Sequence, residues 1–150
     1  MSKKLFPLFG LLIVGSALLA MTLFSHSVKA EGLTEYAEKI LSIQLDDIVK
    51  EEDGEIKKSF LEDYAYIRLE LIKGGENEFS ERMEKAGKKA ITEITTIPGY
   101  NGNPIAKELK DNTVISRYDL FFSGKWYQMT RSVECYLAKN NNSYWVYLFG

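Results

Sequence analysis

The sequence predicts an α+β domain, with three N-terminal helices packed on one face of a C-terminal antiparallel meander of three or four strands. Three observations carry that expectation. Between Leu33 and Ile97, apolar residues recur at three- and four-residue steps, which stacks them along one side of a helix. From Thr113 onward the period changes to two, the spacing of strands with one covered face. Ser123-Gly124 and Asn140-Asn141 stand where tight turns would join those strands.

Ahead of the domain, residues 1–30 read as an export signal. Lys3 and Lys4 give a positive start, and Leu8 to Phe24 is an apolar run broken only by Gly10, Gly15, Ser16 and Thr22. Val28 and Ala30 then supply the small residues of a cleavage site, which sets the mature domain at 31–150. The rival reading is an uncleaved anchor, because a run of 17 residues reaches the lower limit for spanning a bilayer.

The first helix is expected over 33–49, with Leu33, Tyr36, Ala37, Ile40, Leu41, Leu45 and Ile48 on its stripe and Lys50–Glu55 ending it. The second runs from about Ile56 to Lys73, with Ile56, Phe60, Tyr64, Ile67 and Leu71 aligned, and Gly74-Gly75 stopping it. The third starts at Asn77 and continues through Phe79, Met83, Ala86, Ala90, Ile94 and Ile97 to the residue before Pro98. Residues 91–97 are rich in β-branched side chains, so a fourth strand there is the alternative. Asn103 as cap and Pro104 at the first helical position predict a short helical turn through Leu109.

Three strands follow, at 113–122, 125–138 and 143–149. A turn at Ser123-Gly124 sets Val114 opposite Val133, Tyr118 opposite Met129 and Leu120 opposite Tyr127. A turn at Asn140-Asn141 sets Leu137 opposite Tyr144, Cys135 opposite Val146 and Val133 opposite Leu148. Both hairpins assign Tyr118, Leu120, Tyr127, Met129, Val133, Cys135, Leu137, Tyr144, Val146 and Leu148 to one face, the face meant for the helices. Arg131 interrupts it, opposite Ser116 and beside Gly150. Arg131 either pairs with the terminal carboxylate or, with Tyr118 and Tyr127, forms a ligand pocket.

The second face is unusually aromatic. Phe121 and Trp126 are expected to pair across one hairpin, and Tyr136 and Trp145 across the other. Leaving Trp126, Tyr136, Trp145, Tyr147 and Phe149 in water would expose a large apolar patch, so these rings, with Arg117, are candidate interface residues for a second copy or another exported protein. The alternative is that the third helix or the 98–110 loop wraps round to cover them.

Composition narrows the chemistry. Without Lys3, Lys4 and Lys29, the 19 basic residues become 16 against 21 acidic ones, a net charge near −5 that argues against nucleic-acid binding. The single histidine is His26, inside the signal, which removes Ser-His and Cys-His pairs from the mature chain. Cys135 has no partner cysteine and lies mid-strand on the covered face, so an inert thiol is expected. Asp46-Asp47 and Glu51–Asp53 lack the ligand spacing of a calcium loop and read as solvated helix ends. Asn141–Ser143 matches a glycosylation acceptor, and in a bacterial protein it is a turn. No catalytic residue, metal site or cofactor is assigned.

Helices followed by an antiparallel meander that closes on the aromatic "NNNSYWVYLFG" resemble the small exported bacterial proteins of the NTF2-like or cystatin-like superfold. The resemblance implies a curved sheet that often holds a pocket or dimerises, and it fixes no activity. The leading expectation is a non-catalytic exported binding module that self-associates through its aromatic face. The alternatives are a histidine-independent enzyme with a pocket around Arg131, and a membrane-anchored component of an envelope assembly.

Overall fold

A computed structural model describes residues 26–27, 32–58, 64–97, 102–123 and 130–150, with the side chains at 26–27, 58, 122–123 and 130–131 outside the description. The fold is α+β. Its helices are α1 (Leu33–Leu41), α2 (Gly75–Lys85) and α3 (Pro104–Asp111). Its five long strands are β2 (Val49–Lys58), β3 (Tyr64–Leu71), β4 (Thr113–Ser123), β5 (Thr130–Asn140) and β6 (Ser143–Phe149), antiparallel in the order β2-β3-β6-β5-β4. The two-residue β1 (His26–Ser27) pairs with Lys57 and Lys58 on the outer edge of β2.

α1 ends earlier than its stripe predicts. Ser42 turns left-handed (φ 58°), and the Glu38 carboxylate accepts from the backbone N–H of Leu45 and Asp46, so those amides leave the helical ladder. Leu45 and Ile48 are still buried in the core, reaching it from a loop. At the other end of α1 the cap comes from a distant strand: Glu52 accepts from the Thr34 amide at 2.7 Å and its hydroxyl at 2.6 Å.

The expected second helix is instead a strand hairpin. Lys50–Glu55 lies inside β2, and Gly54 pairs with Ile67. Gly54 sits at φ 143°, where an added Cβ would come within 2.2 Å of the Tyr66 carbonyl oxygen, so this strand position takes only glycine. In Tyr64–Leu71 the alternation of Ala65, Ile67 and Leu69 overrides the helical spacing, because both faces of β3 are covered. The acidic residues at 51–53 are thus strand residues, with Asp53 paired to Arg68 at 3.0 Å. Asp47 forks onto Arg82 at 2.6 Å through each oxygen, tying the loop before β2 to α2.

Gly74-Gly75 does not end a helix but opens α2. α2 stops at Lys85 rather than Ile97. Gly87 (φ 73°) takes the left-handed position after the helix, and the Lys88 amide reaches back to the Met83 carbonyl. Residues 88–97 then run extended, neither helix nor regular strand, joined to β4 by one bridge in which Ile91 and Arg117 exchange hydrogen bonds of 2.8 and 2.9 Å. α3 begins as its sequence predicts: Asn103 Oδ1 accepts from Ile105 and Ala106, with Pro104 at the first helical position.

The helices interleave with the strands and cover both faces, rather than lying together at the N-terminus on one. Residues of α1 and α2 (Ala37, Leu41, Phe79, Met83) pack on one face with Tyr118, Leu120, Val133, Cys135, Leu137, Val146 and Leu148. Residues of α3 (Ile105, Ala106, Leu109) pack on the other with Tyr136, Ala138, Tyr147 and Phe149. The faces are those expected except at Val114, which the bulge before Ser116 turns to the α3 side opposite Ala138, and the registers differ. Tyr118 pairs with Cys135, Leu120 with Val133, Phe121 with Ser132 and Ser123 with Thr130; Gly124 of the expected turn lies outside the described residues. The next turn is Asn141-Asn142, with Asn141 at φ 53°, so Leu137 pairs with Val146 and Tyr136 with Tyr147.

Candidate functional site

A cleft of about 560 Å³ lies where α2 ends, the segment 88–97 begins and β4 runs past. The local sequence builds each wall. The left-handed Gly87 turns the chain sharply after α2, so Lys88, Lys89, Ala90 and Thr92 form one side. A β-bulge between Val114 and Ser116 puts an extra residue into β4, and Ile115, Ser116 and Tyr118 form the opposite side. Tyr118 is held edge-on against Phe79 of α2, with ring centroids 6.0 Å apart.

One polar atom in this cleft is anomalous. Ser116 is 5 % exposed, and its hydroxyl has no hydrogen-bond partner among the described residues. A buried hydroxyl without a partner costs about 1–3 kcal/mol, and this one lies behind the cleft surface rather than on it. The neighbouring Ser80 hydroxyl differs, since it donates to the Glu76 carbonyl at 2.9 Å. Exposed Lys89 and Glu84 and half-buried Lys88 also line the cleft, and neither lysine forms an ion pair among the described residues. A second cleft of about 470 Å³, between 92–97 and the α3–β4 junction, contains no such buried unpartnered group among the described residues.

On the opposite face, the candidate interface residues divide. Tyr136, Tyr147 and Phe149 are buried beneath α3, so what meets these rings is the chain's own helix. Phe149 lies edge-on to Tyr136 and stacked with Tyr147. The Tyr147 hydroxyl donates to Glu108 at 2.8 Å and accepts from Asn112 at 2.7 Å. Glu108 also pairs with Arg68, whose guanidinium lies 5.2 Å from the ring centre of half-buried Trp145. Arg117 is a structural cation, forked onto Asp119 at 2.6 and 2.7 Å, with Glu134 at 3.7 Å. Burial, with Glu108 beside Tyr147 and Glu134 beside Tyr136, pushes both phenols well above their ordinary value, so they remain protonated. The expected pair of Tyr136 and Trp145 is not formed, because Ala138 faces Trp145.

Of the candidate pocket residues, Tyr118 lines the cleft, while Tyr127 lies outside the described residues, as does Trp126. Arg131 faces Phe122 by backbone register, and Ser116 faces Leu137, so the expected Arg131–Ser116 neighbourhood is not formed. Gly150 lies against Ser132 and Val133 of β5, further along that strand than Arg131, and exchanges backbone hydrogen bonds with Ala65 of β3. Cys135 is fully buried, and burial pushes its thiol far up.

Lys88, Lys89 and Thr92 escaped the sequence reading because the helical period was carried through them. Gly87 followed by two lysines was the available signal of a helix end. No group of three or more potential metal ligands occurs among the described residues. No described helix is long and apolar enough to cross a membrane. Comparison with protein families, curated proteins and solved structures finds no match to this chain.

Proposed function

We propose that this protein is an exported, non-catalytic binding module whose cleft between α2 and β4 receives a small ligand. The observation that carries the proposal is the cleft of about 560 Å³ itself, walled by Ala90, Ile115 and Tyr118. Binding sites for small molecules have this character: volumes of roughly 300–1,000 Å³, apolar walls and few polar groups. Export rests on the Lys3-Lys4 start, the apolar run and the Ala30 site. Cleavage there would also remove β1 and leave β2 as an edge. A five-stranded antiparallel sheet with a helix-covered face is compatible with the NTF2-like or cystatin-like resemblance. With Tyr136, Tyr147 and Phe149 taken by α3, a partner protein or second copy would meet Phe121, which is 69 % exposed, and Trp145.

The test is cleft filling. Ala90 is exposed and lines the cleft, so Ala90→Trp should leave the fold intact and occupy the space. A fluorescent apolar probe such as anilinonaphthalene sulfonate should bind wild type saturably and Ala90→Trp poorly, at equal melting temperature. Equal binding to both proteins rejects the cleft as the site.

A further inference from the structure

The outer edge of β2 already holds a short antiparallel segment, in which His26 pairs with Lys58 and Ser27 with Lys57. A second contact keeps the same count. A Cβ added to Gly32 would lie 3.8 Å from the Glu52 carboxylate, which also accepts from Thr34. Ser27 to Gly32 is five residues, and Lys57 to Glu52 is five, so both contacts fit one register along β2. Residues 28–31 between them lie outside the described residues. The edge itself is charged. Glu52 is committed to Thr34 and Asp53 to Arg68, whereas Glu55 is exposed, with one ion pair among the described residues, to Lys57 at 3.6 Å. Ile56, beside it, turns into the core.

We propose that this edge, from Gly54 to Lys58, accepts an extended basic strand of a partner protein. Residues 26–27 fill it before the signal is removed, and cleavage after Ala30 opens it. The inference rests on the export reading and not on the cleft. Side chains opposite one another on paired strands share a face, so the partner places Lys or Arg opposite Glu55 and an apolar residue opposite Ile56. The chain's own sequence has that composition at the same count, Val28 for Ile56 and Lys29 for Glu55. Backbone groups on the open edge supply the affinity, and these two positions supply the selection. A second copy fits less well. Two β2 strands paired antiparallel about Asp53, Gly54 or Glu55 would set carboxylate against carboxylate.

The probe is a fluorescent peptide of residues 25–30, Ser-His-Ser-Val-Lys-Ala, titrated by anisotropy into two exported proteins in one detergent. One is wild type. The other is Ala30→Tyr, whose bulky residue at the cleavage site keeps residues 1–30 attached. N-terminal mass identifies each. Wild type that starts at Glu31 should bind the peptide saturably. Ala30→Tyr should bind at least about tenfold more weakly, because its tethered segment competes at high effective concentration. Methylating the backbone nitrogens of one alternate set of peptide residues should abolish binding, and methylating the other set should not, since only one set faces β2. Glu55→Lys should weaken binding by roughly two- to fivefold, the worth of an exposed ion pair, and a peptide carrying Lys29→Glu should recover it. Glu55 is exposed, so this variant should keep the wild-type melting temperature. If wild type retains residues 1–30, the export reading falls and takes the opened edge with it. If wild type is cleaved but does not bind, binds no better than Ala30→Tyr, or is indifferent to which nitrogens are methylated, the acceptor edge is wrong while export stands. Binding unaffected by Glu55→Lys rejects the basic class. A processed protein that sediments as a dimer and is split by the peptide assigns the edge to a second copy instead.

Discussion

Under α1 and α2, the sheet meets its helices mostly through aliphatic and sulfur-bearing side chains, Leu41, Met83, Cys135, Leu137, Val146 and Leu148, with one aromatic pair, Phe79 and Tyr118. Under α3 the same strands present Tyr136, Tyr147 and Phe149, and the two phenols extend into a shell of Glu108, Glu134, Arg68 and Asn112. The first face is held by burial, which needs no orientation. The second needs both burial and correctly placed partners, because each buried hydroxyl must end on a polar atom. The comparison teaches that an aromatic sheet face need not be an interface. An eight-residue helix with three buried apolar residues covers Tyr136, Tyr147 and Phe149 and leaves Phe121 exposed.

The largest test of this contrast is a matched pair of truncations. Phe79→Ala on the first face should cost about 3–5 kcal/mol, and Leu109→Ala on the second about 2–5 kcal/mol. Urea denaturation measures both. Leu109→Ala should in addition raise binding of an apolar fluorescent probe, since it uncovers Tyr136 and Tyr147. A cost below that of an ordinary surface substitution would mean that α3 does not cover this face.

Tyr147→Phe is sharper, because it keeps the ring and removes one oxygen. Glu108 and Asn112 would each lose a partner, for a loss of about 1–3 kcal/mol. A neutral result would reduce the second face to burial alone and erase its difference from the first.

Acid should act through the second face. The Glu70 carboxyl is held below the ordinary 4.5 by hydrogen bonds first from Ser143 and then from Lys50. Since the folded value is depressed, its contribution is complete above about pH 4.5 and is lost as pH falls through the folded value. The midpoint of urea unfolding should therefore fall below that pH, by the equivalent of roughly 1 kcal/mol from this group, and Glu70→Gln should flatten the profile. An unchanged slope in the variant would show that the acid response originates elsewhere.

The smallest effect has the opposite sign. Ser116→Ala removes a buried hydroxyl that lacks a partner in the unliganded protein, so stability should hold or rise by up to about 1 kcal/mol. A loss of more than that would mean that the hydroxyl already has a structural partner.

Much of the C-terminal half was legible in the sequence, for a reason that its errors expose. Tyr118 was expected opposite Met129 and faces Cys135, while Leu137 was expected opposite Tyr144 and faces Val146. Both displacements are even, and strand side chains alternate with a period of two, so these residues kept their face; Val114, beyond the bulge, pairs with Ala138 and changed face. The α3 cap was legible because Asn103 and Pro104 act through their own backbone geometry. The first half was less so. Tyr64, Ile67 and Leu71 satisfy a helical spacing, while Ala65, Ile67, Leu69 and Leu71 satisfy a strand spacing. The choice depends on α3 and on β6, which are distant in the chain. The cleft was hidden for a similar reason: its walls are a helix terminus and a bulge that local periodicity does not bring together.

The Ile91–Arg117 bridge has a consequence for life in a crowded compartment. β4 is the outermost long strand, and a bare sheet edge invites backbone pairing with neighbouring molecules, the first step toward insoluble fibres. The bridge occupies the edge at Arg117, and the Arg117–Asp119 ion pair lies beside it. A neighbour that aligned here would have to displace two hydrogen bonds and accommodate that ion pair. Lifting Ile91 from Arg117 would free two more backbone groups on that edge for pairing with a neighbouring chain.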